Sequence, residues 1–310
     1  MYLVTGGAGF IGSHIVEALV ARDAQVRVLD NFSSGRWENL NAVRAAVKVI
    51  EGDVADLSTA RRASADVDYI LHHAAVTSLE AALQNPIETR RTNIDGTLNM
   101  LLAARAAKVK RFVFASSASV YGHADDLPIG ENSPFCALSL YAASKIAGEA
   151  YVNAFANSFG LPTVILRYFN VYGSRQDPVS PYASVIIKFI DRLEHGQAPV
   201  ILGDGTQTRD FIYVKDVVKA DLLACSCPAA IGQVFNVASG QQTSILELAE
   251  MLNALTGLQL ESQFAPRRPG EVYRSQANIS RSKQILNWQP ETDMGTALGT
   301  LVYKFAPVLT

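Results

Sequence analysis

The stretch 3-LVTGGAGFIGSH-14 decides the fold. Leu3 and Val4 form a short apolar run, the mark of a buried strand that starts almost at the first residue. Gly6, Gly7 and Gly9 allow a tight turn and a close backbone approach. Phe10, Ile11, Ile15, Val16 and Leu19 then recur at helical spacing, so a helix is expected to open at about Gly9. Gly6-x-x-Gly9-x-x-Gly12 therefore lies at a strand-to-helix turn. Free N–H groups and the positive end of the helix dipole suit a pyrophosphate there. Such a triplet is a weak signal alone, because an ordinary glycine turn reads the same way. The next strand strengthens it: 25-QVRVLD-30 ends in Asp30, placed where a carboxylate can take the ribose 2′-hydroxyl of an adenosine. Asn31 beside it, and Phe10 and Ile11 at the helix start, join the candidate cofactor contacts. Asp30 would repel a 2′-phosphate, so the expected cofactor is NAD, not NADP.

A chain of 310 residues is near the limit for one continuous core, so a large nucleotide domain with a smaller lobe is expected. Charged residues make up 18% and the net charge is −2, which gives no case for a nucleic-acid partner. Cys136, Cys225 and Cys227 form no paired framework, and Cys225-x-Cys227 is too short a pattern for a metal site. They fit a reducing cytoplasm, and no metal is expected. The first twenty residues hold a nucleotide motif and not a charged leader, so no signal peptide is expected. No apolar run approaches membrane-spanning length.

Further strands are expected at 47-VKVIEGDV-54, 68-DYILHHAA-75, 109-VKRFVFASS-117 and 163-TVILRYFNVYG-173. Long helical patterns occupy 85–107 and 140–160. Strands alternating with helices argue for an α/β, Rossmann-like, doubly wound parallel sheet. Ligands gather at the carboxyl ends of such strands, so Asp53, Val54, Ala74 and Ala75 are expected to border the cofactor. His72 and His73 read as packing at a strand end, because no carboxylate or cysteine stands at metal-ligand spacing. Beyond about Asn170 the alternation weakens and prolines and glycines punctuate short elements. Residues 1–170 are therefore assigned to the NAD-binding domain and 171–310 to a smaller substrate lobe, some of whose segments rejoin the sheet.

Tyr141 and Lys145 are one helical turn apart, near the start of the helix that follows the serine-rich strand end 114-FASSASVYG-122. An ammonium beside a phenol favours phenolate, which would make Tyr141 a usable base near neutral pH. Ser117 offers a hydroxyl to orient the substrate's proton. A surface Tyr–Lys pair is the alternative reading of the same spacing.

Taken in order, TGGAGFIGSH (5–14), LDNFSSG (29–35), GDV (52–54), HHAA (72–75), NIDGT (93–97), SSASVYG (116–122), YAASK (141–145), RYFNVYG (167–173), GDGTQTRDFIYVKD (203–216) and RPGE (268–271) span nearly the whole chain. With these motifs the chain resembles the extended short-chain dehydrogenase/reductases, and within them the nucleotide-sugar 4-epimerases. The resemblance implies Ser117, Tyr141 and Lys145 as the catalytic triad, with Lys145 also on the nicotinamide ribose. Asn93 matches a family position near the active site, its role open. Asn170 would meet the diphosphate of a UDP-sugar, and Arg209 and Arg268 would supply cations to it. Glu271 stands where the family usually has aspartate and would hold the uridine ribose. A homodimer through helices near 86–107 and 140–159 is also implied.

Departures refine the expectation. Ala118 and Ser119 replace the acidic pair with which related 4,6-dehydratases eliminate water, which argues against dehydration. Leu140 and Ala142 replace a common proline and glycine around the catalytic tyrosine, and small shifts of the helix start are expected. Ser275 falls where epimerases restricted to plain hexoses often carry tyrosine, leaving room for a 2-acetamido group. The expected activity is thus 4-epimerisation of UDP-Glc/UDP-Gal and of UDP-GlcNAc/UDP-GalNAc. Alternatives are a uronate epimerase, a decarboxylase, a reductase, or a non-catalytic NAD sensor on the same fold.

Overall fold

The computed structural model describes residues 1–124, 126–177, 184–267 and 272–302. In chain order its strands are β1 (Tyr2–Thr5), β2 (Val26–Asp30), β3 (Val47–Glu51), β4 (Tyr69–His72), β5 (Arg111–Ser117), β6 (Thr163–Tyr168), β7 (Asn170–Tyr172), β8 (Val200–Leu202), β9 (Thr208–Arg209), β10 (Phe211–Tyr213), β11 (Val234–Val237), β12 (Thr243–Ser244) and β13 (Gln263–Ala265). The helices are α1 (Phe10–Val20), α2 (Leu57–Ser64), α3 (Leu79–Gln84), α4 (Pro86–Arg90), α5 (Gly96–Ala107), α6 (Leu140–Phe159), α7 (Val185–Glu194), α8 (Val214–Ser226), α9 (Ile245–Thr256), α10 (Ser280–Ile285) and α11 (Met294–Val302).

Seven parallel strands form one sheet in the order β11-β6-β5-β4-β1-β2-β3. The chain reverses direction across the sheet between β1 and β4, which opens a crevice at their carboxyl ends. Period-2 alternation places Val4, Val28, Val113 and Leu166 on one face with Ile15 and Leu19 of α1 and Val217 and Leu222 of α8. Leu3, Leu29, Ile70, Phe112 and Phe114 face the other way, onto α2, α5 and α6. Both faces are covered, as a parallel sheet requires.

In the second half of the chain, β11 adds to the sheet edge beside β6, and α8 packs against α1. The rest closes a separate core from Phe189 and Ile190 of α7, Leu248 and Leu252 of α9, and Leu298 and Leu301 of α11. Among the described residues no helix is long and apolar enough to cross a membrane.

Two elements differ from the sequence pattern. The single strand expected over 163–173 divides at Phe169. β6 stays in the large sheet while β7 leaves it to pair with β10, and the Asn170 N–H donates to the Asp210 carbonyl. The helix expected over 85–107 is interrupted by a π-helical turn at Arg91–Asp95. Such a turn re-aims one side chain, here Asn93.

Candidate active site

The glycine turn is built from close backbone contacts. A Cβ on Gly6 would fall 2.8 Å from the Ala74 nitrogen, and one on Gly12 would overlap the Gly6 carbonyl oxygen. Gly9 N-caps α1 with no side-chain cap, and the first turn carries no acidic residue. The first-turn N–H groups of Phe10, Ile11 and Gly12 lack intrahelical partners by the geometry of a helix start. The Phe10 and Ile11 side chains pack against the smaller C-terminal core, so what they offer a cofactor is main chain.

Asp30 is 7% exposed. Its Oδ2 accepts from the Ala8 N–H at 2.9 Å and its Oδ1 from the Phe32 N–H at 2.9 Å. Burial pushes the carboxyl up and the two N–H donors oppose that. Each oxygen keeps a lone pair for a sugar hydroxyl. The glycine cradle and this carboxylate fit the pyrophosphate and ribose of a dinucleotide.

Around them, Asp53 Oδ1 accepts from Ala55 N and Oδ2 pairs with Arg91 at 3.1 Å. Buried Val54 packs against Gly96. Ala74 N and His73 N donate to the Thr5 hydroxyl, which holds the turn through Ala75 against β1. Asn93 has a role the sequence left open. Its Oδ1 accepts from Val76 N at 2.7 Å, and its Nδ2 donates to Val76 O and Ser144 Oγ, both at 2.9 Å. It braces the loop after β4 against α6.

The catalytic candidates converge where β5 ends and α6 begins. Ser139 caps α6, its Oγ accepting from Ala142 N at 3.1 Å, so the helix starts at Leu140 despite the missing proline. Gly148 lets α6 lie close on β5: a Cβ there would fall 2.5 Å from the Phe114 ring. Lys145 is consequently buried, and its Nζ donates to the Ala115 carbonyl at 2.7 Å. It lies 5.9 Å from the centre of the Tyr141 ring. Ser117 Oγ accepts from Ser119 N at 3.1 Å, and its hydroxyl lies near enough to Tyr141 to favour the phenolate form.

Burial acts on both Tyr141 and Lys145. Burial pushes Tyr141 up to about 12, opposed by the nearby Ser117 hydroxyl. Burial also pushes Lys145 down to about 8, opposed by Glu149. Desolvation disfavours both charged forms, and it outweighs the attraction that the helical spacing suggests.

The substrate-side candidates separate into two groups. Arg268 and Glu271 lie outside the described residues. Asn170, Arg209 and Ser275 lie on segments tied to Asp210. Asn170 Nδ2 donates to the Asp210 carbonyl at 3.3 Å. Arg209 precedes Asp210, with its Nη1 donating to Thr208 O at 2.9 Å. Buried Ser275 lies two residues before Ala277, whose N–H donates to Asp210 Oδ2 at 3.0 Å. Asp210 also accepts from Ser239 N, Ser239 Oγ and Gly240 N. It is fully buried and organises three segments, yet in the sequence it passes as one charge within TQTRDFIYV.

One further polar group is visible only in three dimensions. Ser119 Oγ is buried without a hydrogen-bond partner among the described residues, two positions from Ser117. His72 and His73 are packed in, as expected. His72 bridges the Thr5 and Thr97 hydroxyls at 2.7 and 3.1 Å, and burial pushes it down to about 3. His73 meets the Tyr168 hydroxyl at 3.0 Å and Asp221 at 3.4 Å.

Comparison with known proteins agrees with this geometry. Residues 2–238 match the family described as "NAD dependent epimerase/dehydratase family". The chain is 39% identical over 304 residues to a putative UDP-glucose 4-epimerase of Methanocaldococcus jannaschii, covering 97% of each chain. It is 32% identical to a UDP-N-acetyl-alpha-D-glucosaminuronate decarboxylase of Bacillus cytotoxicus, covering 99% of this chain and 98% of that one. Among solved structures, it superposes with a TM-score of 0.94 and 39% identity on a UDP-N-acetylglucosamine 4-epimerase of Methanobrevibacter ruminantium in complex with UDP-N-acetylmuramic acid, covering 98% and 97% of the two chains.

Proposed function

The chain belongs to the NAD dependent epimerase/dehydratase family, and from that premise we propose that it inverts C4 of a UDP-hexose, taking UDP-Glc/UDP-Gal and UDP-GlcNAc/UDP-GalNAc. It is an NAD-dependent enzyme acting on UDP-hexoses or UDP-aminosugars. The observation that carries the reading is the convergence of Ser117, Tyr141 and Lys145 beside a dinucleotide cradle, with no acidic residue at 118 or 119 to drive elimination.

NAD is the cofactor, held by the Gly6–Gly12 turn and Asp30, and when bound it supplies a hydride acceptor and a positively charged ring. Tyr141 takes the proton of the C4 hydroxyl as the C4 hydrogen leaves with its electron pair. Ser117 holds the same oxygen, and Ser119 offers its unpaired hydroxyl to the sugar. Lys145 would stabilise the phenolate from which Tyr141 acts as base. The 4-keto sugar would turn over in the site, and Tyr141 would return the proton to the C4 oxygen. The cofactor ends unchanged, so the protein's contribution is positioning and proton control. Asn170, Arg209 and Arg268 bind the diphosphate, Glu271 the uridine ribose, and Ser275 leaves space for a 2-acetamido group. The relative crystallised with an N-acetylated sugar nucleotide supports that last assignment.

The reading includes a homodimer through α3–α6. This surface carries Leu83 at 66% exposure and Ile87 at 75%, with exposed Tyr151 and Phe159 on α6. Such apolar area is characteristic of a protein contact.

The test incubates purified protein, without added cofactor, with UDP-GlcNAc and with UDP-Glc, and separates the C4 epimers. Conversion of both is the expected result. Conversion of UDP-Glc alone would refute the assignment of Ser275. Conversion of neither, with carbon dioxide released from a UDP-uronate, would replace the epimerase reading by a decarboxylase.

A further inference from the structure

Glu149 and Arg167 form a buried ion pair that the chemistry above does not use. Glu149 lies one turn beyond Lys145 on α6, and Arg167 lies on β6 opposite Ser116 of β5. Arg167 Nε donates to Glu149 Oε1 at 2.9 Å and Nη2 to Oε2 at 2.6 Å. The Ser116 hydroxyl donates to the same Oε1 at 2.5 Å. Arg167 Nη1 reaches the Tyr121 hydroxyl and the Glu131 carbonyl, each at 2.9 Å, and the Tyr121 hydroxyl donates to Asn236 Oδ1 at 2.6 Å. Glu149 is 1% exposed, and Arg167 and Ser116 are 3% exposed.

Stability does not account for such a pair. Removing two charges from water is costly, and apolar residues of the same shape commonly hold a fold as well. Position does account for it. Ser116 precedes Ser117, and Glu149 follows Lys145 by one turn. One carboxylate therefore grips both the strand that carries Ser117 and the helix that carries Tyr141 and Lys145.

We propose that the Glu149–Arg167 pair is a positioning unit for the catalytic trio, fixing the end of β5 against α6 and setting the charge around the Lys145 ammonium. The inference rests on the roles assigned to Ser117, Tyr141 and Lys145. Facing Lys145 are Tyr141 and Glu149 from its own helix, neutral His72 from β4, the Ala115 carbonyl and Phe114 ring from β5, and Arg167 from β6 behind Glu149. Of these, Glu149 is the carboxylate. It favours the charged form of Lys145 against burial.

Two variants test the pair. Glu149→Gln keeps the shape and removes the charge. The double variant Glu149→Gln/Arg167→Gln removes both charges and leaves no buried cation uncompensated. One readout needs no turnover: the titration midpoint of Lys145, followed by NMR of labelled lysine side chains and assigned with a Lys145→Met protein. The other is kcat and KM across pH with the sugar nucleotide that the parent converts.

In Glu149→Gln the Lys145 midpoint is expected to fall by about half a pH unit or more. kcat should fall about tenfold or more at nearly unchanged KM, because misplacement is felt in the transition state. In the double variant the midpoint returns toward the parent's while kcat stays low, since the charge-assisted bonds that fix β6 and β5 against α6 are gone. Both readouts must move in Glu149→Gln; either one unmoved overturns the proposal, and so does activity that merely tracks the folded fraction. If Glu149→Gln does not fold, the double variant decides: a kcat near the parent's overturns the proposal. A parent that converts neither sugar would count against the epimerase reading instead, and the Lys145 midpoint would still decide this one.

Discussion

The glycine turn at residues 6–12 presents main-chain groups to its ligand, whereas the strand end and helix around Ser117, Tyr141 and Lys145 present side chains. At the first, the geometry is enforced by absent Cβ atoms at Gly6 and Gly12 and by one carboxylate, Asp30, on two N–H donors. At the second, side chains are held by bonds from other elements: Lys145 by the Ala115 carbonyl and Ser144 by Asn93. A main-chain site needs only that certain side chains be missing. A side-chain site needs several residues, distant in sequence, to be correct together. The two ends should therefore fail in different ways.

The sharpest test of that contrast is Tyr141→Phe. It deletes one oxygen from the side-chain end and touches nothing in the glycine turn. Turnover should drop about a thousandfold, the scale of a lost general acid–base. NAD bound per subunit should stay at the parent's level. A Tyr141→Phe protein that turned over within tenfold of the parent would remove Tyr141 from the chemistry. One that lost its NAD would show that the two ends are not separable.

Gly12→Ala is the converse experiment. The added methyl would overlap the Gly6 carbonyl oxygen, so the turn must open or the helix must shift. The expected result is loss of bound NAD on purification. A fall in stability of about 1–3 kcal/mol should accompany it, typical of forcing an atom into filled space. Denaturant midpoint and NAD content measured on one preparation check both parts. Restored turnover on adding excess NAD would sharpen the comparison, because it would show the side-chain end intact behind a damaged cradle.

The same contrast explains what could be read from residue order. The apolar runs that became β1, β2, β4 and β5 alternate with period 2, and Asp30 closes a strand at the expected distance from the glycines. These are local signals, so they survive without the fold. The division of the strand at Phe169 is not local. It depends on Asn170 finding the Asp210 carbonyl, and Asp210 in turn depends on donors from 239, 240 and 277. The π turn at Arg91–Asp95 likewise makes sense only once Asn93 reaches Val76 and Ser144. The burial around Tyr141 and Lys145 is likewise not local. Spacing reveals a neighbouring charge but not the burial that opposes it.

His72 stands at the seam between the two ends, at the close of β4, bonded to Thr5 on one side and Thr97 on the other. It is 2% exposed, and burial pushes it down to about 3 from an ordinary value near 6.5. Above pH 6.5 both folded and unfolded chains keep this ring neutral, so it makes no pH-dependent difference. As the pH falls below 6.5, the unfolded chain takes up a proton that the folded chain refuses, and stability is lost continuously toward pH 3. The slope is about 1.4 kcal/mol per pH unit for one such group. Urea midpoints between pH 7 and pH 5 should therefore fall more steeply in the parent than in a His72→Gln protein, which can still bond one of the two threonines. Parallel slopes would mean that the ring opens to water or gains a proton in place. The seam would then be looser than the burial of its two hydroxyl bonds implies. A difference in slope, with NAD binding and turnover of His72→Gln close to the parent's at pH 7, would make His72 a packing residue shared by both ends and a catalytic residue of neither.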